Sequence, residues 1–146
     1  MLKYITVGIV LLFIGIQFIS VDVPVKEMDK NADFILATNA PNDVASILKT
    51  SCYDCHSNET NYPWYSNIAP VSWWVKDHIK EGREELNFSA WGTFTEKRKA
   101  KKLHEIEEEV EEGEMPLSSY TITHSNASLS KEQKEVLITW VKYLTR

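Results

Sequence analysis

Two cysteines and a histidine stand close together in the chain, in the sequence Cys52-Tyr53-Asp54-Cys55-His56. This is the C-x-x-C-H pattern of covalent c-type haem attachment. Residues three and four positions apart share one face of a helical turn, so Cys52, Cys55 and His56 can converge on a single group. The pattern therefore predicts one covalent haem c. The two thiols would form thioethers to the porphyrin, and the imidazole of His56 would bind the iron from the proximal side.

Three other uses of these residues agree less well with the rest of the chain. A thioredoxin-like redox pair needs a βαβ context, which the sequence does not indicate. A structural zinc site needs a closely spaced second pair of ligands, but His78, His104 and His124 are isolated from one another. A disulfide between Cys52 and Cys55 would close too small a loop to stabilise the fold much. A thiol oxidoreductase that lacks haem stays open as an alternative.

A sixth ligand to the iron is predicted at Met115, in the sequence Gly113-Glu114-Met115-Pro116. A thioether is a soft, neutral donor that suits haem iron, and a loop residue is free of helical constraints. With His56 and Met115 as axial ligands, the iron would have no open site for a substrate. This ligand pair would also raise the reduction potential relative to two histidines. These features predict a one-electron carrier rather than an enzyme.

The competing distal ligand is His78, which shares an apolar helical stripe with Trp74, Val75 and Ile79. A histidine on such a stripe is more often a core residue than a ligand. An open distal position, or one held by a displaceable side chain such as His78, would instead indicate a peroxidase-like haem enzyme or a sensor of gas or redox state. A peroxidase would also need an acid–base group on the distal side.

The composition limits the other classes of function. The chain has 146 residues, of which 43% are hydrophobic, so it has room for one domain and a short extra segment. Its formal net charge is −5 and its pI is near 5.4. A nucleic-acid-binding protein needs a basic face to neutralise phosphates, so we expect no nucleic-acid partner. The sequence does not identify a redox partner protein.

The first residues predict a membrane segment. After Lys3, an apolar run extends from Tyr4 to Ile19, and no A-x-A-like cleavage site follows it. The length from Tyr4 to Val23, about 20 residues, is near the minimum for a helix that spans a bilayer. Residues 1–23 are therefore predicted to be an uncleaved, single-pass anchor in the bacterial inner membrane, with a cleaved signal peptide as the alternative. Lys3 would lie on the cytoplasmic side and the haem domain in the periplasm.

The rest of the chain is predicted to be all-α. Residues 24–41 lack a sustained period, which predicts a polar linker. Residues 42–146 are predicted to form a small, cytochrome c-like helical haem domain. Within it, the turn-rich, aromatic stretch 57–69 is predicted to be an ordered loop that folds against the cofactor or the core.

Local signals predict where two of the helices begin. Thr93 and Glu96 have the spacing of a capping box, which predicts the start of a long helix, and Gly113 predicts its end. Ser130 and Gln133 form a second capping box at the start of the final helix. The final helix has an apolar face for packing against the core.

Motifs that cover most of the chain after the predicted linker resemble those of a known family. They are residues 51–60 with the C-x-x-C-H pattern, Tyr62-Pro63-Trp64-Tyr65-Ser66, Ala69-Pro70-Val71-Ser72-Trp73, residues 81–89, and Glu112-Gly113-Glu114-Met115-Pro116. On these motifs the chain resembles the bacterial haem-binding domain family, whose members carry one C-x-x-C-H and often an N-terminal hydrophobic segment. The resemblance implies a monohaem, mainly helical domain outside the cytoplasm, but no particular reaction.

Two smaller similarities accompany this resemblance. The final helix, which contains Trp140, is similar to the closing helix of small class I cytochromes c. Asn58, Arg83, Asn87 and Trp91 fit the family pattern, and no chemistry is assigned to them.

Overall fold

The computed structural model describes residues 1–25 and 27–146, and the described residues are helical with no β-strand. This confirms the predicted all-α class. Short 3₁₀ helices cover Lys30–Ala32, Trp64–Asn67, Phe88–Thr93 and Ser125–Ala127. The α-helices of the described residues, numbered in chain order, are α1 (Leu2–Ile16), α2 (Phe34–Ala37), α3 (Asn42–Ser51), α4 (Tyr53–His56), α5 (Val71–Glu85), α6 (Glu96–Glu112), α7 (Ser118–Thr121) and α8 (Lys131–Leu144).

The core is organised around the aromatic ring of Phe34, which is fully buried. Its centroid lies 5.0 Å from that of Phe88 and 4.5 Å from that of Trp91. Phe88 also stacks on Tyr53 at 5.2 Å. Rings of this size bury a large apolar area and favour such offset contacts, so they contribute strongly to stability. Because Tyr53 directly follows Cys52, this aromatic cluster also holds the C-x-x-C-H segment in place.

The structure differs from the linker predicted at residues 24–41. A 3₁₀ helix and α2 occupy part of this range, and α2 supplies Phe34 to the core. The Tyr53 hydroxyl donates to the Asp33 carboxylate at 3.0 Å, which ties the segment to the C-x-x-C-H motif. A single large aromatic residue fixes this segment, whereas the prediction relied on periodicity. Lys26, which also falls within the predicted linker, lies outside the described residues.

Two of the predicted helix ends are confirmed. The Ser130 hydroxyl accepts a hydrogen bond from the amide of Gln133 at 3.2 Å, and the Gln133 side chain accepts one from the amide of Ser130 at 2.9 Å. Gly113 ends α6 with φ of 81°, a left-handed conformation that glycine adopts without strain. Local sequence signals were sufficient at both positions.

The capping box predicted at Thr93 and Glu96 is wrong by two residues. Thr95 caps α6, and its side chain accepts a hydrogen bond from the amide of Arg98 at 3.3 Å. The Thr93 hydroxyl instead donates to the carbonyl of Ala90 at 2.7 Å, within the preceding 3₁₀ helix. That helix extends further toward α6 than the sequence indicated.

The prediction that the aromatic stretch 57–69 folds against the cofactor or the core is wrong for its largest side chain. Trp64 is 77% exposed and Tyr62 is 44% exposed. The buried side chains of this stretch are small: Ser57 and Ser66 are fully buried, and Ala69 is 2% exposed. The core is already filled by the aromatic cluster around Phe34, so small residues suffice where this stretch meets it.

The residues after α1 are fastened to the domain. α1 is apolar, and all of its residues are exposed except Ile16, which is partly exposed. The Gln17 side chain donates to the carbonyl of Ala69 at 3.1 Å and accepts from the amide of Ala69 at 2.9 Å. The indole N–H of Trp73 donates to the carbonyl of Ile19 at 2.8 Å. Among the described residues, no helix has both the length and the apolarity needed to cross a membrane.

Candidate functional site

The imidazole of His56 is held by the last turn of α5. Its Nδ1 lies 2.9 Å from the carbonyl oxygen of Gly82 and 3.0 Å from that of Leu86. Carbonyl oxygens only accept hydrogen bonds, so Nδ1 carries the proton and donates to both of them. The lone pair of Nε2 is then available to a metal, which is the usual arrangement of a metal-binding histidine and the partner that orients it. Burial also lowers the pKa of His56, which favours the neutral ring.

A glycine allows α4 to approach α5 closely enough for these hydrogen bonds. A Cβ atom added at Gly82 would lie 3.0 Å from the carbonyl oxygen of Cys55, which belongs to the backbone and cannot move alone. On the next residue, the Arg83 guanidinium donates from Nε to the carbonyl of Ser57 at 2.7 Å and from Nη2 to the Thr60 hydroxyl at 2.9 Å. Arg83 therefore fixes the turn that follows the C-x-x-C-H motif.

A cavity of about 460 Å³ opens next to His56. This volume lies within the range of small-molecule and cofactor sites, roughly 300–1,000 Å³. Glu85, Glu105, Glu108 and Glu109 give its rim an acidic character. Its wall is mainly apolar, and the side chains that form it include Leu48, Leu86, Phe88, Ile106, Val110 and Leu137.

Met115 lines the same cavity as His56 and is partly buried. After the left-handed turn at Gly113, the amide of Met115 donates to the carbonyl of Glu109 at 3.1 Å, which fixes the loop against the end of α6. The shared cavity is compatible with the predicted pair of axial ligands. That His56 and Met115 bind one iron stays a prediction.

The two cysteines differ in position. Cys52 lines the cavity, whereas Cys55 packs against α5 and is not among the lining residues. Both are free thiols. Burial raises the pKa of Cys52 to about 12, and burial together with the nearby Asp54 carboxylate raises that of Cys55 to about 11. A thiol oxidoreductase needs an attacking thiolate, so these protonated thiols do not favour that alternative.

His78 does not line the cavity. Its Nδ1 donates to the carbonyl of Trp74 at 2.9 Å, one turn earlier in α5, and the two rings lie 4.4 Å apart. His124 stacks on Tyr120 with centroids 4.2 Å apart. Among the described residues that line the cavity, His56 is the only histidine.

The structure also shows a contact that no sequence signal indicated. The Tyr120 hydroxyl donates to the Asp54 carboxylate at 2.6 Å, across 66 residues of sequence. Asp54 lies inside the C-x-x-C-H motif, and Tyr120 lies on α7, shortly after Met115. The hydrogen bond thus joins the two segments that carry the predicted axial ligands. Burial, together with this hydrogen bond to Asp54, raises the pKa of Tyr120, so its hydroxyl remains a donor.

A buried lysine beside the cavity was also missed. Lys102 is 8% exposed, and its ammonium lies 2.6 Å from Glu105 and 3.5 Å from Glu85. A signal for its burial was present, because Lys102 stands one helical turn before Ile106 on the apolar stripe of α6. Its charge, rather than its spacing, suggested an exposed position.

Comparison with known families agrees with this geometry. The haem-binding domain family matches residues 11–143, which is nearly the whole chain. The chain therefore belongs to the haem-binding domain family, and haem is its cofactor. No curated protein and no solved structure matches it. An apolar cavity beside a histidine with a free Nε2 suits a flat, mostly apolar group that carries iron.

Proposed function

We propose that the chain is a monohaem c-type cytochrome that carries single electrons. Cys52 and Cys55 would attach the haem covalently, and His56 and Met115 would be the axial ligands of its iron. When bound, the haem iron supplies a one-electron redox couple. His56 and Met115 line the same mainly apolar cavity, where they would hold the iron of the haem.

The observation that carries this proposal is the pair of hydrogen bonds from His56 Nδ1 to the carbonyls of Gly82 and Leu86. They present Nε2 as a ligand before any metal arrives, so little reorganisation is required. Met115 supports the proposal because it lines the same cavity. The enzyme alternative lacks its distal histidine, since His78 lies outside the cavity lining.

An optical spectrum of the purified ferric protein tests the axial ligands. We expect a low-spin spectrum with the weak long-wavelength band of iron bound to thioether sulfur. A high-spin spectrum together with rapid peroxide turnover, or tight binding of a diatomic gas by the native protein, would contradict the electron-carrier proposal.

Covalent attachment has its own test. We expect the haem to stay with the polypeptide after denaturation and acid extraction, and the mass of the protein to increase by that of one haem. In Cys52→Ser with Cys55→Ser, expressed in the same cytochrome-maturing cells, the haem should be extractable. Ser125→Ala with Ser128→Ala, at two exposed positions outside the cavity lining, is the control for a double substitution. Extractable haem in the native protein would contradict a c-type attachment.

We also propose that α1 anchors the chain in the bacterial inner membrane, with the haem domain on the periplasmic side. An apolar helix whose side chains remain exposed needs an apolar environment other than the core. Lys3 would stay on the cytoplasmic side. At about 1.5 Å per residue α1 spans roughly 22 Å, so the bilayer would thin around it or the apolar residues that follow would contribute.

Membrane fractionation of the full chain tests this anchor. Val10→Arg should move the protein toward the soluble fraction, because an arginine at the centre of an inserted helix costs about 2.5–3.5 kcal/mol. Val10→Leu should fractionate like the native protein. A native chain that is released by carbonate washing would contradict the proposal.

A further inference from the structure

Outside α1, two stretches of 16 residues lack Asp, Glu, Lys and Arg, residues 60–75 and residues 115–130, and only the first contains tryptophan. The chain as a whole is 25% charged, yet no Asp, Glu, Lys or Arg occurs between Glu59 and Lys76. This stretch holds three of the five tryptophans of the chain. A surface loop and the start of a surface helix normally carry charge for solubility, so this composition indicates an environment other than bulk water.

Five large side chains of this stretch are exposed, and we call them the aromatic patch. Trp64 is the most exposed of them at 77%, and Trp74 is 49% exposed. Trp64 contacts Tyr65, with ring centroids 5.8 Å apart. The members of the patch are Tyr62, Trp64, Ile68, Val71 and Trp74.

The aromatic patch adjoins the end of α1. The Gln17 side chain hydrogen-bonds to Ala69, which lies between two residues of the patch, and the indole of Trp73 bonds to the carbonyl of Ile19. These contacts leave the domain little freedom to move away from the end of α1. Phe18 and Ile19 are exposed beside them, so apolar surface continues from α1 onto the domain.

We propose that the aromatic patch lies in the interfacial layer of the lipid bilayer that holds α1. The inference rests on the proposed membrane anchor and adds a second contact between the protein and the membrane. Tryptophan and tyrosine are enriched at this layer, because their rings are apolar and their N–H or O–H groups reach the wet headgroups. The absence of charge across the stretch suits the interfacial layer. The hydrogen bonds between Gln17 and Ala69 would place the patch at the point where α1 leaves the membrane.

The patch would fix the orientation of the haem domain. Val71 and Trp74 begin α5, whereas Gly82 and Leu86, which hold His56, lie at its other end. The 15 residues of α5 extend over about 22 Å. A domain seated on the patch would therefore present its haem cavity at a fixed position relative to the membrane, instead of swinging on a flexible linker.

Radiolytic hydroxyl-radical footprinting of the full, haem-loaded chain tests this proposal. The protein is reconstituted in vesicles of phosphatidylethanolamine and phosphatidylglycerol, and the oxidation rate of each aromatic residue is divided by its rate in the urea-unfolded chain. Tyr143 is the internal control, because it is 68% exposed on α8. We expect Trp64 and Trp74 to be oxidised at least about threefold more slowly than Tyr143, and Phe13 of α1 to be protected as well.

Three results would overturn the proposal. Oxidation of Trp64 and Trp74 at the rate of Tyr143, with Phe13 protected, would show that the anchor inserts and the patch stays in water. Oxidation of Phe13 at the same rate would overturn the anchor together with the patch. Protection of Trp64 that disappears when the ratio of lipid to protein is raised would assign the patch to a contact between two copies of the chain.

Discussion

The two ends of α5 differ in composition and in surroundings, the start being uncharged and rich in tryptophan and the end carrying Gly82, Arg83 and two glutamates. At its end, the carbonyls of Gly82 and Leu86 hold the partly buried ring of His56, which lies 26 and 30 residues earlier in the chain. At its start, Val71 and Trp74 are exposed beside a segment more than 50 residues earlier. What each end can do depends on the distant segment that packs against it.

The largest change at the cavity end is expected from His56→Ala. Loss of the proximal ligand should abolish the low-spin spectrum and leave little correctly ligated haem. His78→Ala, on the same helix as the carbonyls that hold His56, is the matched control and should leave the spectrum unchanged, because His78 lies outside the cavity lining. A spectrum altered by His78→Ala and preserved in His56→Ala would reverse the assignment.

Met115→Ala should lower the reduction potential and open the iron to carbon monoxide. Axial ligands set haem potentials over about 0.8 V, so a shift on the order of 0.1 V is expected. Potentiometric titration and carbon monoxide difference spectra measure the two effects. Met28→Ala is the control, because Met28 does not line the cavity beside His56. An unchanged spectrum and potential in Met115→Ala would remove Met115 from the iron.

Gly82→Ala tests the close approach of α4 to α5. The added methyl group would meet the backbone of Cys55 at 3.0–3.3 Å, so we expect a loss of about 1–3 kcal/mol in the free energy of unfolding and a disturbed haem spectrum. Urea denaturation measures the loss. Gly15→Ala in α1, where nothing lies within 4 Å, should cost nothing. Equal stability of the two variants would contradict the close approach.

Tyr120→Phe removes the hydrogen bond that joins Asp54 to α7. Since this bond links the segments that carry His56 and Met115, we expect a loss of about 1 kcal/mol of stability and easier entry of carbon monoxide. Tyr143→Phe, at an exposed position of α8, should change neither quantity. Unchanged carbon monoxide binding in Tyr120→Phe would show that the contact does not position Met115.

The smallest effect on the haem is expected from substitutions in the aromatic patch, which includes the start of α5. Trp64→Ser with Trp74→Ser should leave the haem spectrum unchanged and alter stability in detergent by no more than about 0.5 kcal/mol, as is usual for exposed positions. The measurements are the ferric spectrum and urea denaturation. A changed spectrum would mean that the two ends of α5 are coupled.

The parts of the fold that local signals specify were predictable. Gly113 ends α6 because a residue without a side chain adopts the left-handed conformation easily. Ser130 and Gln133 begin α8 because their side chains accept hydrogen bonds from backbone amides at the start of the helix. The prediction failed where one residue depends on a distant partner. Phe34 made part of the predicted linker a core element, because Phe88 and Trp91 surround it.

The candidate site was likewise predictable only in part. The sequence indicated that Cys52, Cys55, His56 and Met115 were the residues to examine, because their chemistry and short-range spacing suit haem. The contact between Tyr120 and Asp54 was not predictable, because no residue close to either of them in the sequence points to the other. The charge of Lys102 likewise gives no sign that it is buried, because charged side chains are exposed at most positions.

The sequence by itself determined the all-helical class and several helix ends and pointed to the C-x-x-C-H motif as the haem site, because each follows from residues within a few positions of one another. Only the tertiary structure decided which carbonyls hold His56, that Met115 shares its cavity, and which aromatic residues fill the core or form the exposed patch. Those outcomes depend on contacts between residues tens of positions apart. Such contacts are fixed only when the whole core packs, so no local pattern specifies them.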